Sequence, residues 1–267
     1  MLPDIEILEG ILRQIASDEA LGGFTQVERE VKWDGSVVTE TDRRIQQRIE
    51  SVLKDHWPDI PLLGEEMNPA QQEQLLVAPK GGLWVLDPLD GTTNFASGLP
   101  FFCVSLALIQ QQEAVLGVIY DPLRDECFMA EKGAGARLNG AILGPAPQLE
   151  LSRTIAGVDF KRLPGPLADQ LAHAFPYMSQ RSMGSSCLDW CWLAAGRFQV
   201  YIHGGQKLWD YSAGDLILRE AGGYATTLNG EPVFAGQLAP RSVVAAVNGE
   251  LFAEWKAWIE RNKDTPE

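Results

Sequence analysis

The chain has 267 residues, which is long enough to bury a large core as one compact domain or as two tightly joined lobes. Apolar residues make up 45% and charged residues 22%, as is usual for globular proteins. The formal net charge is −14 and no basic run occurs, so nucleic acid is not an expected partner, because phosphate backbones are bound by clustered Lys and Arg. An acidic protein that binds a phosphorylated small molecule would need metal ions or local cations at its site.

The beginning of the chain and its apolar runs give no sign of a targeting segment. Residues 1–6 lack the basic and apolar regions of a signal peptide, and the longest mainly apolar run, residues 99–109, is too short to span a bilayer. We therefore expect a cytoplasmic protein without membrane contact. The cysteines are Cys103, Cys127, Cys187 and Cys191. We expect reduced, buried thiols, because no histidine or further cysteine lies close enough in sequence to complete a zinc site.

The first half of the chain predicts helices packed on a largely antiparallel sheet. Apolar residues at helical spacing mark one amphipathic helix through Ile5, Leu8, Leu12 and Ile15, and a second through Ile45, Ile49, Val52 and Leu53. Residues 33–37 predict a hairpin turn between short strands. Further strands are expected at residues 60–63, 82–86, 101–110, 114–120 and 126–130.

The second half predicts alternating strands and helices. Pro145 and Pro147 indicate a linker, so we divide the chain into an N-terminal α+β lobe, residues 1–145, and a C-terminal α/β lobe, residues 146–267. Strands are expected at residues 154–158, 181–183 and 200–203, and near Tyr224 and Val243. Helices are expected at residues 167–174, 188–195 and 211–221, and around Leu251, Trp255, Trp258 and Ile259. Two packed lobes of layered helices and sheets follow from this pattern.

Residues 84–95, WVLDPLDGTTNF, contain the strongest functional signal in the chain. A short apolar strand ends at Asp87, and Asp90 follows after a stiff Pro88-Leu89 pair. Two bare carboxylates about 4 Å apart repel each other by about 4 kcal/mol at an effective dielectric near 20, and a cation between them removes that cost. Hard oxygen ligands favour Mg²⁺ or Mn²⁺. An ordinary surface turn is the alternative, because Asp, Pro and Gly are common turn residues.

Other acidic residues also stand where one element passes into the next. Glu65 and Glu66 follow the strand at residues 60–63, Asp42 precedes a charged helix, and Asp210 opens an apolar helix. Functional sites are often built at such edges, so these residues are further candidates.

The order and spacing of these motifs resemble the inositol monophosphatase family. The motifs are GEE at residues 64–66, DPLDGTTNF at 87–95, WDxxAG at 209–214 and EAGG at 220–223, with KGAGARLNG at 132–140 and GSS at 184–186. The resemblance extends from about Val37 to Gly223. It implies a magnesium-dependent, lithium-sensitive phosphomonoesterase, commonly a homodimer. It also implies a five-layer α-β-α-β-α sandwich of two tightly packed lobes, with the site between them.

The resemblance also implies roles for single residues. One metal ion would be held by Glu65, Asp87 and the main-chain carbonyl of Leu89, and a second by Asp87, Asp90 and Asp210. A weaker third ion would use Glu65, and Mn²⁺ could substitute for Mg²⁺. Thr92, Asp42 and Glu65 form the implied catalytic set, in which Thr92 and Asp42 orient the attacking water. Thr92 and Asp42 could instead be ordinary helix caps, and the two roles are compatible.

The implied substrate contacts combine backbone and side chains. Gly91 and Thr92 would begin a helix or turn whose N–H groups face the phosphate. The side-chain candidates are Ser185, Ser186, His203 and Asp210. The serines could also be plain N-caps. His203 is a departure, because inositol-preferring members commonly carry Glu at this position, seven residues before the metal-binding Asp; the alternative is a strand-end histidine without a ligand.

The leading prediction is a Mg²⁺-dependent phosphomonoesterase that hydrolyses inositol monophosphate or a similar small polyol phosphate. Histidinol phosphate, fructose 1,6-bisphosphate and 3′-phosphoadenosine 5′-phosphate are alternative substrates within the same family. A non-catalytic regulatory or binding protein on this fold is the alternative from another class. The acid cluster argues against it, because a pure binder has no need of metal ligands.

Overall fold

The structure, a computed structural model, describes residues 2–22, 24, 29–31, 37–77 and 81–263. Most of the turn predicted at residues 33–37 lies outside the described residues. The short strands on either side of it, β1 (Arg29–Val31) and β2 (Val37–Thr39), pair in antiparallel fashion.

Both predicted N-terminal helices are confirmed. Helix α1 spans Ile5–Ala16 and continues into a π-helical turn at Ser17–Leu21, while α2 spans Glu40–His56. Their buried faces carry Leu8, Leu12 and Ile15 from α1 and Ile45, Ile49 and Leu53 from α2. Helix α2 begins with a capping box, in which Thr39 and Asp42 bond to each other's backbone or side chain.

A seven-stranded sheet follows, with its strands in chain order. Its strands are β3 (Leu62–Gly64), β4 (Leu83–Asp90), β5 (Cys103–Gln110), β6 (Glu113–Asp121), β7 (Glu126–Glu131), β8 (Gly135–Leu138) and β9 (Ala141–Ile142). Only β3 and β4 are parallel, which confirms a largely antiparallel sheet. Helix α3 (Pro69–Leu76) connects them and was not predicted, although Asn68 caps it and Pro69 occupies a first-turn position.

The second sheet has five strands in the order β11-β10-β12-β14-β13. They are β10 (Ile155–Asp159), β11 (Ser179–Arg181), β12 (Val200–Gln206), β13 (Tyr224–Thr226) and β14 (Arg241–Ala246). The other helices are α4 (Thr92–Ala96), α5 (Gly165–His173), α6 (Ser186–Ala194), α7 (Leu208–Glu220) and α8 (Gly249–Asn262). The strand predicted at residues 181–183 lies two residues earlier than expected, at 179–181.

These elements form the layered sandwich that the family resemblance implied. Helices α1 and α2 pack on one face of the seven-stranded sheet, and α6 and α7 lie between the sheets. Helix α8 contacts the five-stranded sheet, and α5 packs against α8. One apolar core around α6 and α7 contains residues of both sheets, such as Val85 and Val244. The division predicted at residue 145 falls between the two sheets and remains a prediction. Within the described part of the chain, no helix is both long and apolar enough to cross a membrane.

Candidate active site

A cleft of about 870 Å³ opens where the two sheets meet the central helices. It is lined by the end of β4, the first residues of α4, α6 and α7, and the turn after β10. The predicted site residues in its lining are Glu65, Asp87, Leu89, Asp90, Gly91, Thr92, Ser185, Ser186 and Asp210. Asp42 and His203 are buried behind the lining.

Three carboxylates gather at one side of the cleft. The pairing of β4 with β5 is irregular between Asp87 and Asp90, and Asp210 lies in the first turn of α7. Each residue offers a carboxylate oxygen, and these oxygens all lie within 4.8 Å of one another. Two of the carboxylates are also oriented by backbone donors: Leu89 N donates to Asp87 Oδ1 at 3.0 Å, and Lys207 N donates to Asp210 Oδ2 at 2.8 Å.

This arrangement suits a hard divalent cation. Burial raises the pKa values of Asp87 and Asp210 well above their usual range, and the charges of Glu65 and Asp90 raise them further. A cation among these oxygens would offset both the burial and the repulsion. The donors are all oxygen atoms, which fits magnesium better than a thiol-seeking metal.

Asp90 is fixed by helix α6. Its Oδ2 accepts hydrogen bonds from Ser185 Oγ at 2.5 Å and from Cys187 N at 2.7 Å. Burial raises the pKa of Asp90, while these hydrogen bonds lower it. Ser185 is 1% exposed, and its hydroxyl proton is directed at Asp90. The structure therefore gives Ser185 a positioning role on Asp90, whereas the sequence predicted a contact with the substrate.

Thr92 and Asp42 meet as the family resemblance implied. The Thr92 hydroxyl lies within donating distance of Leu89 O, at 2.9 Å, and Asp42 Oδ1, at 3.1 Å. Asp42 Oδ2 also accepts hydrogen bonds from Thr39 N at 2.8 Å and Thr39 Oγ1 at 2.5 Å. Burial raises the pKa of Asp42 to about 6, against the effect of the Thr39 hydrogen bonds. Asp42 is thus both a helix cap and the buried partner of Thr92.

The positions of Gly91 and Glu65 are set by close contacts and hydrogen bonds of their backbone. Gly91 has φ of +88°, and a Cβ there would lie 2.8 Å from the carbonyl oxygen of Phe101, so this turn requires glycine. Glu65 N donates to Leu86 O at 3.1 Å, which attaches the GEE segment to the end of β4. Gln72 of α3 donates to the carbonyl oxygen of Glu65 at 3.2 Å.

A further part of the cleft lining, which we call the alcohol-side wall, was not identified as a group from the sequence. It consists of Asp159, Lys161, Arg162, Ser182, Asp189 and Lys207. A 3₁₀ turn at Phe160–Arg162 presents the first two cations, and Asp159 Oδ1 caps it by accepting from Lys161 N at 2.8 Å. This turn packs on Gly204, where a Cβ would lie 1.7 Å from the carbonyl oxygen of Arg162. The Gly204-Gly205 pair was the only sequence signal of this close approach.

The predicted contact between His203 and the alcohol requires correction. His203 is 1% exposed and does not line the cleft. Its Nδ1 accepts a hydrogen bond from Gly205 N at 3.0 Å, and its Nε2 lies 3.1 Å from Asp159 Oδ2. The two residues are neighbours on parallel strands, so Asp159 at the end of β10 covers the imidazole from the cleft. Asp159, and not His203, faces the open space.

Comparison with known proteins agrees with the motifs. A sequence model of the inositol monophosphatase family matches residues 4–261. The chain is 37% identical over 228 residues to a Pasteurella multocida protein named Nus factor SuhB, covering 82% of this chain and 84% of that one. It is 33% identical over 245 residues to inositol-1-monophosphatase of Mesorhizobium japonicum. This match covers 87% of this chain and 90% of that protein. A Thermotoga maritima IMPase structure matches with a TM-score of 0.84 at 26% identity, covering 96% of both chains.

Proposed function

Because the chain belongs to the inositol monophosphatase family, we propose that it is a magnesium-dependent phosphomonoesterase acting on inositol monophosphate or a similar small polyol phosphate. The observation that carries this proposal is the cluster formed by Asp87, Asp90 and Asp210, whose carboxylate oxygens lie within 4.8 Å of one another in the cleft. The Thr92–Asp42 pair, which could orient a water molecule, stands beside it.

The proposed metal ligands are the oxygen donors on this side of the cleft. One ion would be held by Glu65, Asp87 and the Leu89 carbonyl, and another by Asp87, Asp90 and Asp210, with Mn²⁺ as a possible substitute. When bound, magnesium would supply the positive charge that neutralises the phosphoryl oxygens and stabilises the leaving alkoxide. Inhibition by lithium is proposed on the same basis, and a dose–response assay with lithium chloride tests it.

The protein's own residues then act on the water and the phosphoryl group. The water oxygen forms a bond to phosphorus as the ester P–O bond breaks, giving inorganic phosphate and the alcohol. Thr92 would hold the water by its hydroxyl oxygen, and Asp42 would receive through Thr92 the proton that the water loses. Backbone N–H groups of Gly91 and Thr92 are proposed to bind the phosphoryl oxygens. The alkoxide gains a proton from solvent as it leaves.

The alcohol-side wall explains how an acidic protein could attract a phosphate ester. Lys161, Arg162 and Lys207 all line the cleft. Burial and the charges of Asp90 and Glu65 raise the pKa of Asp210, and the positive charge of Arg162 acts against that rise. These cations offset part of the −14 net charge at the point where the substrate enters.

A second candidate function is a non-catalytic role, which the name Nus factor of one relative favours. A phosphate-release screen separates the two candidates. The panel includes inositol 1-phosphate, histidinol phosphate, fructose 1,6-bisphosphate and 3′-phosphoadenosine 5′-phosphate, with magnesium and with chelator. Magnesium-dependent release from a polyol phosphate supports the proposal. Absence of release from every ester contradicts it and favours the non-catalytic role.

A homodimer is also proposed, and light scattering gives the mass that tests it.

A further inference from the structure

The GEE segment, residues 64–66, lies between β3 and α3 and brings Glu65 and Glu66 to the cleft. It is too short to satisfy its own backbone hydrogen bonds, so its N–H and C=O groups need partners from elsewhere. Two side-chain amides supply partners, Gln72 from α3 and Gln46 from α2. The two glutamines approach the segment from different helices, and each bonds to its main chain.

Gln72 holds the carbonyl groups of the segment. Its Nε2 donates to Gly64 O at 2.9 Å and to Glu65 O at 3.2 Å. Because carbonyl oxygens can only accept, these bonds fix which end of the amide is the nitrogen. Gln72 is 5% exposed, and among the described residues of α3 it is the buried one. A helix that buries a polar side chain in this way places it there for its hydrogen bonds, since apolar residues are the usual choice for burial.

Gln46 holds the following N–H group. Its Oε1 accepts a hydrogen bond from Glu66 N at 3.1 Å. The amide packs so closely on Gly64 that a Cβ there would overlap the amide oxygen, so glycine makes room for this contact. Gln46 lies one helical turn after Asp42, which accepts the hydrogen bond from Thr92 at 3.1 Å. One face of α2 therefore contacts both Thr92 and the GEE segment.

We propose that Gln46 and Gln72 are positioning residues for the metal cluster, which hold Glu65 beside Asp87 so that the magnesium ion they share binds tightly. This inference rests on the proposed magnesium-dependent function. The N–H of Glu65 is bonded to the carbonyl group of Leu86, the residue before Asp87, which attaches the segment to the cluster at one point. The glutamines fix the groups on either side of that point. Without them the ion would have to order the segment as it binds, which lowers its affinity.

The test measures magnesium binding with and without substrate. Calorimetric titration of the full chain gives the dissociation constant of magnesium, and hydrolysis of inositol 1-phosphate gives the magnesium concentration at half-maximal rate. Gln72→Met keeps the size of the side chain and removes its donor. It should raise both quantities by about tenfold, as loss of a group that orients a metal ligand does. The kcat at saturating magnesium should change by less than about twofold, because Gln72 touches no reacting atom.

Variants of Gln46 test the second contact. Gln46→Ala should also weaken magnesium binding, by about fivefold, whereas Gln46→Glu keeps an acceptor for the N–H of Glu66 and should stay within about threefold of the wild type. Gly64→Ala places a methyl group where the amide oxygen lies, so it should reproduce the effect of Gln46→Ala. The double variant should bind magnesium no more weakly than either single variant, because both changes remove the same contact.

Gln199 provides a matched control away from the cleft. Its Oε1 accepts from Ile155 N at 2.8 Å, and its Nε2 donates to Gly196 O at 2.6 Å, so it also holds backbone groups by two hydrogen bonds. It does not line the cleft. Gln199→Met should lower Tm and leave the dissociation constant of magnesium unchanged.

The outcomes distinguish this inference from the proposed function. Unchanged magnesium binding in Gln72→Met and Gln46→Ala would overturn the inference and leave the phosphatase function standing. A fall in kcat without a change in magnesium binding would overturn it as well, as would equal weakening in Gln199→Met. Weakening in one of the two variants alone would overturn the role of the other glutamine. If the wild type neither binds magnesium nor hydrolyses a phosphate ester, the proposed function fails and the inference fails with it.

Discussion

The two sides of the cleft are assembled in different ways. The metal side, where we propose that cations bind, takes Asp87, Asp90 and Thr92 from one continuous stretch at the end of β4, and adds Asp210 from α7. The alcohol-side wall takes single residues from the end of β10, from α6 and from the residue before α7. Under the proposed function, a short stretch of chain supplies the phosphoryl chemistry that all esters share, whereas recognition of the alcohol depends on residues brought together by tertiary packing. The two sides should accordingly respond differently to substitution.

The largest expected effect is on the metal side. Asp90→Asn removes charge from a proposed metal ligand that Ser185 and Cys187 already hold in place. It should lower kcat/KM for inositol 1-phosphate and for cyclohexyl phosphate by at least about a hundredfold and by the same factor, because both esters share the phosphoryl group. Steady-state kinetics on the two esters checks this. If Asp90→Asn lowered kcat/KM for only one of the two esters, the metal side would not act on the phosphoryl group alone, and the two sides of the cleft would not differ in the way described.

A smaller loss is expected at Thr92. Thr92→Ala removes the hydroxyl that bonds to Asp42 and Leu89, and kcat should fall by about tenfold to fiftyfold for both esters. Thr92→Ser keeps the hydroxyl and should retain most of the activity. Comparing kcat for the two variants checks the role of the hydroxyl. If serine is as inactive as alanine, packing of the threonine methyl group, and not the hydroxyl, is what matters.

The cations of the alcohol-side wall should act on substrate capture. Arg162→Ala should raise KM by about threefold with little change in kcat, and the effect should shrink as salt is added. Arg181→Ala is the control, because this exposed arginine on β11 does not line the cleft. KM measured at low and high ionic strength decides the matter. An unchanged KM at low salt would show that Arg162 does not steer the substrate.

The smallest effect concerns stability without metal. The pKa values of Asp87, Asp90 and Asp210 are raised in the folded protein, mainly by burial. The folded state therefore binds more protons than the unfolded state, and stability in chelator should fall as pH rises above about 4, the ordinary pKa of aspartate, by a few degrees in Tm. Magnesium should largely remove this dependence. Thermal melts across this range test the prediction, and a metal-free Tm that rises with pH would oppose it.

The sequence predicted the parts of the protein whose signals are local. Strand β4 and the acids at its end were visible in one apolar run followed by a turn, and helix α1 was visible in its buried face. The contact between Thr92 and Asp42, fifty positions apart, came only from the family resemblance. The family resemblance assigned His203 to the substrate, and nothing in the sequence of β12 shows that Asp159, on the neighbouring strand, covers it. Such pairings across strands depend on sheet order.

The most direct test of the central claim is the hydrolysis of inositol 1-phosphate and cyclohexyl phosphate by one wild-type preparation, assayed with magnesium, after chelation, and after magnesium is restored. The account predicts that both activities vanish together in chelator and return together when magnesium is restored. Turnover of either ester that persists without metal would contradict it.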